Sequence, residues 1–374
     1  MEPRGYFRGS IYKSDIFEEA LKSAYGSVEL FGLRNETHQR PQHLARVAVT
    51  TTVDTECRLL TNYRWGDDKT YLGSHCRTWG AARCTSAAPM YFEPFTYDGT
   101  QCRDGGLKAN NPLQIAVNES KAIWGEGVPY DLILSVGSGS APNPPKEPSS
   151  SIIIPSWLTS LFATLMTTMN GQQAWRQFSK NADPRLLNRT ARLNVEFQTP
   201  HEPPLDDTSS IDWMESHASR YRFPRQLLDD PHDAFRPTHS GKSETSAIDN
   251  LADRLRASLY FVELGSVTEK KDVFIIKGWI CCRIGPERKA FQNLLNATTS
   301  FKQASGSLTL ERVWRHKPLK LEITIQQPAS HHLDPIRLDV SFGQEFVTIS
   351  GFPATLDVSI GAATYTRACK GGMY

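Results

Sequence analysis

The chain has 374 residues, of which 39% are hydrophobic and 22% charged, and it carries a formal net charge of +2. That is enough ordinary globular sequence to bury a sizeable core in two domains, and the near-neutral balance excludes the basic footprint of a nucleic-acid binder. Seven cysteines, an odd number without any C-x-x-C pair, argue for reduced thiols in a cytoplasmic setting, with small buried hydrophobes as their simplest role.

The first residues, Met1-Glu2-Pro3-Arg4-Gly5, lack the apolar run of a signal peptide. Asp15-Ile16-Phe17-Glu18 has the spacing of a capping box and predicts a helix through Ala24 that stops at Gly26. Residues 46–53 (RVAVTTTV) form a β-branched run suited to a strand buried on both faces, and 59–65 is a second candidate strand. Residues 80–88 read as a short helix of small residues, which Pro89 stops. An aromatic alternation over 91–97 predicts a strand, and Asp98-Gly99 is a strong hairpin turn that returns the chain through 100–103 to Asp104. Gly105-Gly106 then permits a positive φ and a close backbone approach just after a carboxylate.

Asn111 and Pro112 fit the N-cap and first position of a helix over 113–124 that ends at Gly125. Residues 131–136 (DLILSV) form an apolar strand leading into Gly137-Ser138-Gly139. Strand, helix, strand in this order implies a right-handed crossover between parallel strands, hence an α/β class. The Pro- and Ser-rich stretch 141–151 is expected to be exposed. The apolar run 152–169 is interrupted by Pro155, Ser and Thr, too often for a membrane span. A helix over 157–178 packs against the core or covers an acyl site as a lid.

Residues 223–246 are polar and read as a linker. After a helix over 251–260, short alternating runs from 261 onward, broken by a helix near 289–296, predict an antiparallel sandwich or barrel. The expected organisation is one α/β domain over 1–222, the linker 223–246, and a β-rich C-terminal domain over 247–374.

The chemistry centres on Asp104, a carboxylate at a strand end on a glycine turn, which is where α/β proteins place reactive groups. Singly, Asp104-Gly105-Gly106 reads as a turn and Asn110-Asn111-Pro112 as a cap. Together with Thr85-Ser86-Ala87-Ala88-Pro89-x-Tyr91-Phe92 and Ile133–Gly139, these pieces resemble the second half of a patatin-like phospholipase, a lipid acyl hydrolase. The resemblance implies a three-layer α/β domain with a mainly parallel sheet and a serine–aspartate dyad that cleaves lipid esters without a metal or cofactor. In that dyad Asp104 is the general base, with Gly105 and Gly106 as its motif glycines. The implied substrate is a phospholipid or other lipid ester, with peripheral membrane contact as an accompanying expectation.

The other half of the family's pattern is absent. No serine in the chain has glycine two residues before and two after it, and no glycine-rich oxyanion loop precedes Asp104. The resemblance therefore covers a domain without its nucleophile-bearing N-terminal part and predicts an inactive chain. A non-catalytic interaction protein that keeps the scaffold is the alternative. His331-His332 with Asp334 reads as a solvated loop, and Arg312, Arg315, His316, Lys317 and Lys320 as a solvated strand edge. No zinc, Walker or dinucleotide spacing occurs.

Overall fold

The structure is a computed structural model that describes residues 10–30, 45–65, 69–73, 76–127, 129–143, 170–223, 247–303, 306–309, 318–331, 334–343, 346–352 and 354. These fall into two compact units. The first takes the described residues of 1–126, 135–182 and 193–221; the second takes those of 127–134, 183–192 and 222–374. The expected linker from 224 onward, most of the 157–178 helix and the basic residues 312–317 lie outside the described residues.

In the first unit, α1 (Ser14–Tyr25) starts one residue before the expected cap. Lys13 holds the N-cap position with extended geometry and no side-chain cap. Asp15 lies inside the first turn, where its Oδ1 accepts the Ile16 N–H at 3.0 Å. The C-terminal stop is as expected: Gly26 has φ 60° and donates its N–H to Lys22 O.

The sheet of this unit runs in the order β2-β1-β4-β3. Strands β1 (Ala48–Val53) and β2 (Glu56–Thr61) form one hairpin, and β3 (Phe95–Tyr97) and β4 (Thr100–Asp104) form another. The turn of the second is Asp98-Gly99, with φ 48° and 72°, the left-handed pair that a two-residue hairpin needs. β1 joins β4 antiparallel through Thr51↔Asp104 and Thr52↔Arg103. All strand pairings in this sheet are thus antiparallel, the two hairpins because tight turns leave no room for a crossover.

Helices cover both faces of the sheet. On one side α2 (Thr78–Thr85) brings Ala81 and Cys84 against Leu60 and Cys102. On the other, α4 (Leu113–Trp124), which follows the single turn α3 (Gly106–Ala109), brings Ile115 and Ile123 against Leu59, Tyr63 and Tyr71. Adjacent Leu59 and Leu60 point to opposite faces and are 1% and 0% exposed. Thr51 and Thr52 are buried in the same way, so β1 is covered on both faces as its sequence suggests. Glu119 pins α4 down by accepting the hydroxyls of Tyr63 and Tyr71, each at 2.8 Å.

Parallel pairing appears where β5 (Ile133–Val136) meets β6 (Thr190–Leu193). The bonds Ile133 N–H to Arg189 O and Gly137 N–H to Leu193 O advance together along both strands. Bridges at Ser140–Glu196 and Asn143–His201 continue them in the same sense. The chain does cross from β4 through α4 to β5, but β5 pairs with β6 rather than with β4.

The second unit contains α6 (Ala247–Ala257) and two antiparallel sheets. One is formed by β7 (Tyr260–Lys270), β8 (Val273–Cys282) and β11 (Lys320–Pro328) in the order β11-β8-β7. The other has the order β10-β9-β12-β13, from β9 (Ser300–Gln303), β10 (Gly306–Thr309), β12 (Leu338–Ser341) and β13 (Phe346–Thr348). The helix α7 (Lys289–Ala297) buries Phe291 and Leu294 in their common core, with Tyr260, Ile280, Phe301 and Leu338. Asp131 belongs to this unit: its Oδ2 accepts the Ser350 hydroxyl at 2.7 Å and its Oδ1 the Gly351 N–H at 3.2 Å. Arg283 completes the chain of bonds by donating to Ser350 Oγ at 2.8 Å.

Candidate functional site around Asp104

Asp104 is the last residue of β4, and its backbone is held on every side. Its N–H donates to Ala87 O at 3.0 Å, and the Gly105 N–H donates to Thr85 O at 3.2 Å. These bonds tie the strand end to the segment that leaves α2. That segment leaves the helix earlier than Pro89 alone predicts, since α2 ends at Thr85 and the Ser86 hydroxyl bonds back to Ala82 O at 2.7 Å. Met90 then takes φ 72°, and the N–H groups of Tyr91 and Phe92 turn back to Ala88 O. Residues 91–94 are therefore a turn, and only 95–97 of the expected strand is formed.

From the other side, β1 contributes a run of threonines. Thr51 Oγ1 donates to Arg103 O at 2.8 Å, and Thr52 Oγ1 donates to Asp104 O at 2.8 Å. Gly105 sits against Thr50, where a Cβ would overlap the Thr50 carbonyl oxygen. Its φ is −63°. Gly105 is thus required by space and not, as its sequence suggests, by a positive φ. Gly106 opens α3, and its N–H donates to Asp104 Oδ1 at 2.6 Å.

Burial pushes the half-buried Asp104 carboxyl above the usual aspartate range, and the Gly106 N–H pulls it part of the way back. The result is a carboxyl aimed by its backbone, with one oxygen bonded to an amide and an affinity for protons raised by its surroundings. Such a group can accept a proton from a hydroxyl brought next to it.

Asn111 lies one position outside the expected cap, with Pro112 at the N-cap and α4 beginning at Leu113. Its side chain still performs the capping bond, accepting the Leu113 N–H at 3.3 Å. It also accepts the Ser135 hydroxyl at 3.2 Å and donates to Gly171 O at 3.2 Å, where α5 (Gly171–Asn181) starts. Downstream, Gly139 has φ 104° and its Cα faces the Phe197 ring so closely that a Cβ would collide with it. The Gly139 N–H is received by Asn194 Oδ1 at 3.1 Å.

Three features near the site escaped the linear reading. Arg83 on α2 is 1% exposed; it donates to Glu18 at 3.2 Å and to Glu93 O at 2.9 Å, and lies over the rings of Phe17, Phe92 and Phe95. A single cation among the small residues of GAARCTSAA was its only signal. Cys76, Cys84 and Cys102, far apart in sequence, share one core cluster, and the six described cysteines are free thiols. Tyr12 reaches Asp206 at 2.7 Å, and burial together with that carboxylate pushes its hydroxyl up to about 12.

The patatin-like phospholipase family model matches residues 2–117, a span that contains Asp104, the glycine pair and Asn111. Residues 2–117 belong to the patatin-like phospholipase family. The chain is 34% identical over 137 residues to calcium-independent phospholipase A2-gamma of Homo sapiens, and to that of Mus musculus to the same degree. The matched stretch is 35% of this chain and spans 17% of those relatives. Phospholipase A I of Arabidopsis thaliana is 39% identical over 74 residues, 19% of this chain and 6% of that protein. Among the described residues, no cluster of three or more His, Cys, Asp or Glu could hold a metal ion, and no helix is long and apolar enough to cross a membrane.

Proposed function

We propose that Asp104 is the general base of a serine–aspartate lipid acyl hydrolase whose substrates are phospholipids or other lipid esters. The observation that carries this reading is the locked, partly buried Asp104 carboxyl inside the stretch that matches the patatin-like family. In the reaction a serine hydroxyl attacks the ester carbonyl and passes its proton to Asp104. The proton then goes to the departing alcohol, and water frees the acyl-enzyme by the same relay in a second cycle. No metal is required, a reading that the name "calcium-independent" of its relatives supports.

On this reading residues 1–222 are part of a three-layer α/β domain, and the helices on both faces of the antiparallel β2-β1-β4-β3 sheet support that class. Residues 247–374 are a β-rich accessory domain, and the enzyme meets its lipid by peripheral contact from the cytoplasm. The chain contains no G-x-S-x-G, so by the dyad route it hydrolyses nothing as it stands.

The test measures hydrolysis of phosphatidylcholine vesicles by the chain alone and by the chain extended with any in-frame upstream polypeptide that carries G-x-S-x-G. Hydrolysis only in the second case, abolished by Asp104→Asn, is the expected result. Ester hydrolysis by the chain alone that Asp104→Asn abolishes would overturn the predicted inactivity; hydrolysis that survives Asp104→Asn would overturn the role of Asp104. The absent serine also favours a second reading, a non-catalytic interaction protein, which requires a transcript without any upstream G-x-S-x-G.

A further inference from the structure

We infer that Thr52 is a positioning residue for Asp104, its hydroxyl fixing the peptide from which the carboxylate is aimed; this rests on the reading of Asp104 as the base. The bonds around the peptide are unequal in kind. The Asp104 N–H and the Gly105 N–H are held by backbone carbonyls of the segment after α2. The Asp104 carbonyl is held by a side chain, Thr52 Oγ1, at 2.8 Å.

Thr52 is 2% exposed, so water does not replace that donor when it is removed. The carbonyl of Asp104 and the N–H of Gly106 flank the same two-residue turn. Rotation of the first peptide therefore alters the 2.6 Å bond that Gly106 makes to Oδ1. A β-branched residue in a strand satisfies packing with valine as well as with threonine, so the hydroxyl at this position has a role that strand propensity does not explain.

Thr51 supplies an internal control. It is equally buried, and it donates to Arg103 O at 2.8 Å with Cys84 O at 3.3 Å as a second neighbour. Its hydroxyl joins α2 to β4 at the carbonyl of the 103–104 peptide and does not reach the 104–105 peptide, whose carbonyl Thr52 holds. The charged groups nearby do not obscure the readout: Arg83 on α2 is engaged by Glu18 and Glu93. Burial raises the Asp104 carboxyl and the Gly106 amide pulls it part of the way back.

The experiment follows the Asp104 carboxyl by carbon NMR in the full chain labelled at aspartate side-chain carbons, the resonance being assigned by its loss in Asp104→Asn. Thr52→Val is expected to raise the pKa of that carboxyl by roughly half a unit or more as the Gly106 bond lengthens. Thr52→Ser should restore the parent value, and Thr51→Val should lower the unfolding midpoint while leaving the pKa in place. If Thr52→Val does not fold, Thr52→Cys, with a weaker donor, should give a smaller rise. An unchanged Asp104 pKa in folded Thr52→Val or Thr52→Cys overturns the inference, as does an equal rise in Thr51→Val. A shifted pKa in a protein whose extended form fails to hydrolyse lipid would separate this inference from the proposed function, leaving Thr52 as the residue that sets the Asp104 geometry.

Discussion

Gly105 and Arg83 each occupy a place where a single atom decides the outcome. A Cβ at Gly105 would overlap the Thr50 carbonyl although the backbone there is ordinary αR. Gly105→Ala should therefore destabilise the fold through crowding, by about 1–3 kcal/mol, read as a lower urea midpoint with an unchanged m-value. Arg83 is a buried cation whose Nη1 has no hydrogen-bond partner among the described residues, so its charge depends on Glu18. Glu18→Ala should cost about 1–3 kcal/mol and more than the double change Glu18→Ala with Arg83→Met, which removes the stranded charge altogether. A double-mutant cycle in urea checks this, and equal costs would show that the Glu93 carbonyl and the aromatic rings hold the guanidinium without Glu18. The identity of Asp104 as the residue of interest was legible in the sequence, because a carboxylate before two glycines and a helix start is a local pattern. The threonine hydroxyls and Arg83 were not, since their partners lie about ten to more than sixty residues away.

Among the elements, those set by short-range geometry came out close to their sequence expectation. Helix α4 spans Leu113–Trp124 as its periodicity indicates, and Gly125, with φ 95°, ends it. The helix expected near 289–296 runs Lys289–Ala297. Asp98-Gly99 forms the two-residue turn between β3 and β4. Gly99→Ala should cost about 1–2 kcal/mol, since a left-handed residue acquires a Cβ. Asp98→Asn should be near neutral, because asparagine tolerates the same region. Thermal unfolding of both variants compares them directly. Expectations that rested on one boundary signal shifted: Asp15 yields the cap position to Lys13, and α2 stops at Thr85 because the Ser86 hydroxyl competes for the helix backbone. Strand direction shifted most, since hairpin turns at 54–55 and 98–99 impose antiparallel neighbours on β1 and β4.

For the whole molecule, the displaced groups set a pH dependence of stability. Burial raises the carboxyls of Asp104 and Glu202, and the Ala141 N–H partly offsets it at Glu202. A raised carboxyl favours the fold in its neutral form. That contribution is complete below the unfolded carboxylate range and is lost as pH rises through the raised values. Tyr12 behaves alike at the alkaline end, its contribution complete below 10.0 and lost as pH rises through about 12. Urea midpoints across pH should show Asp104→Asn flattening the acidic slope and Tyr12→Phe the alkaline one. The second unit gives another expectation. Asp131 and Arg189 lie outside residues 247–374 yet bond to Ser350, Gly351 and Phe352. A fragment of 247–374 should melt below the corresponding transition of the full chain, and Asp131→Ala in the full chain should reproduce part of that loss.

The sequence by itself determined the Asp98-Gly99 turn, the glycine stops of α1 and α4, most β runs and the motif around Asp104, because φ preferences and bonds between near neighbours govern them. It also determined that no serine stands in a G-x-S-x-G setting. Only the tertiary structure decided the strand order β2-β1-β4-β3, the gathering of Cys76, Cys84 and Cys102, and the burial of Arg83. It alone placed Thr52 under the Asp104 peptide. These depend on contacts between distant residues, whose energies are settled by packing and desolvation in three dimensions and leave no periodic trace along the chain.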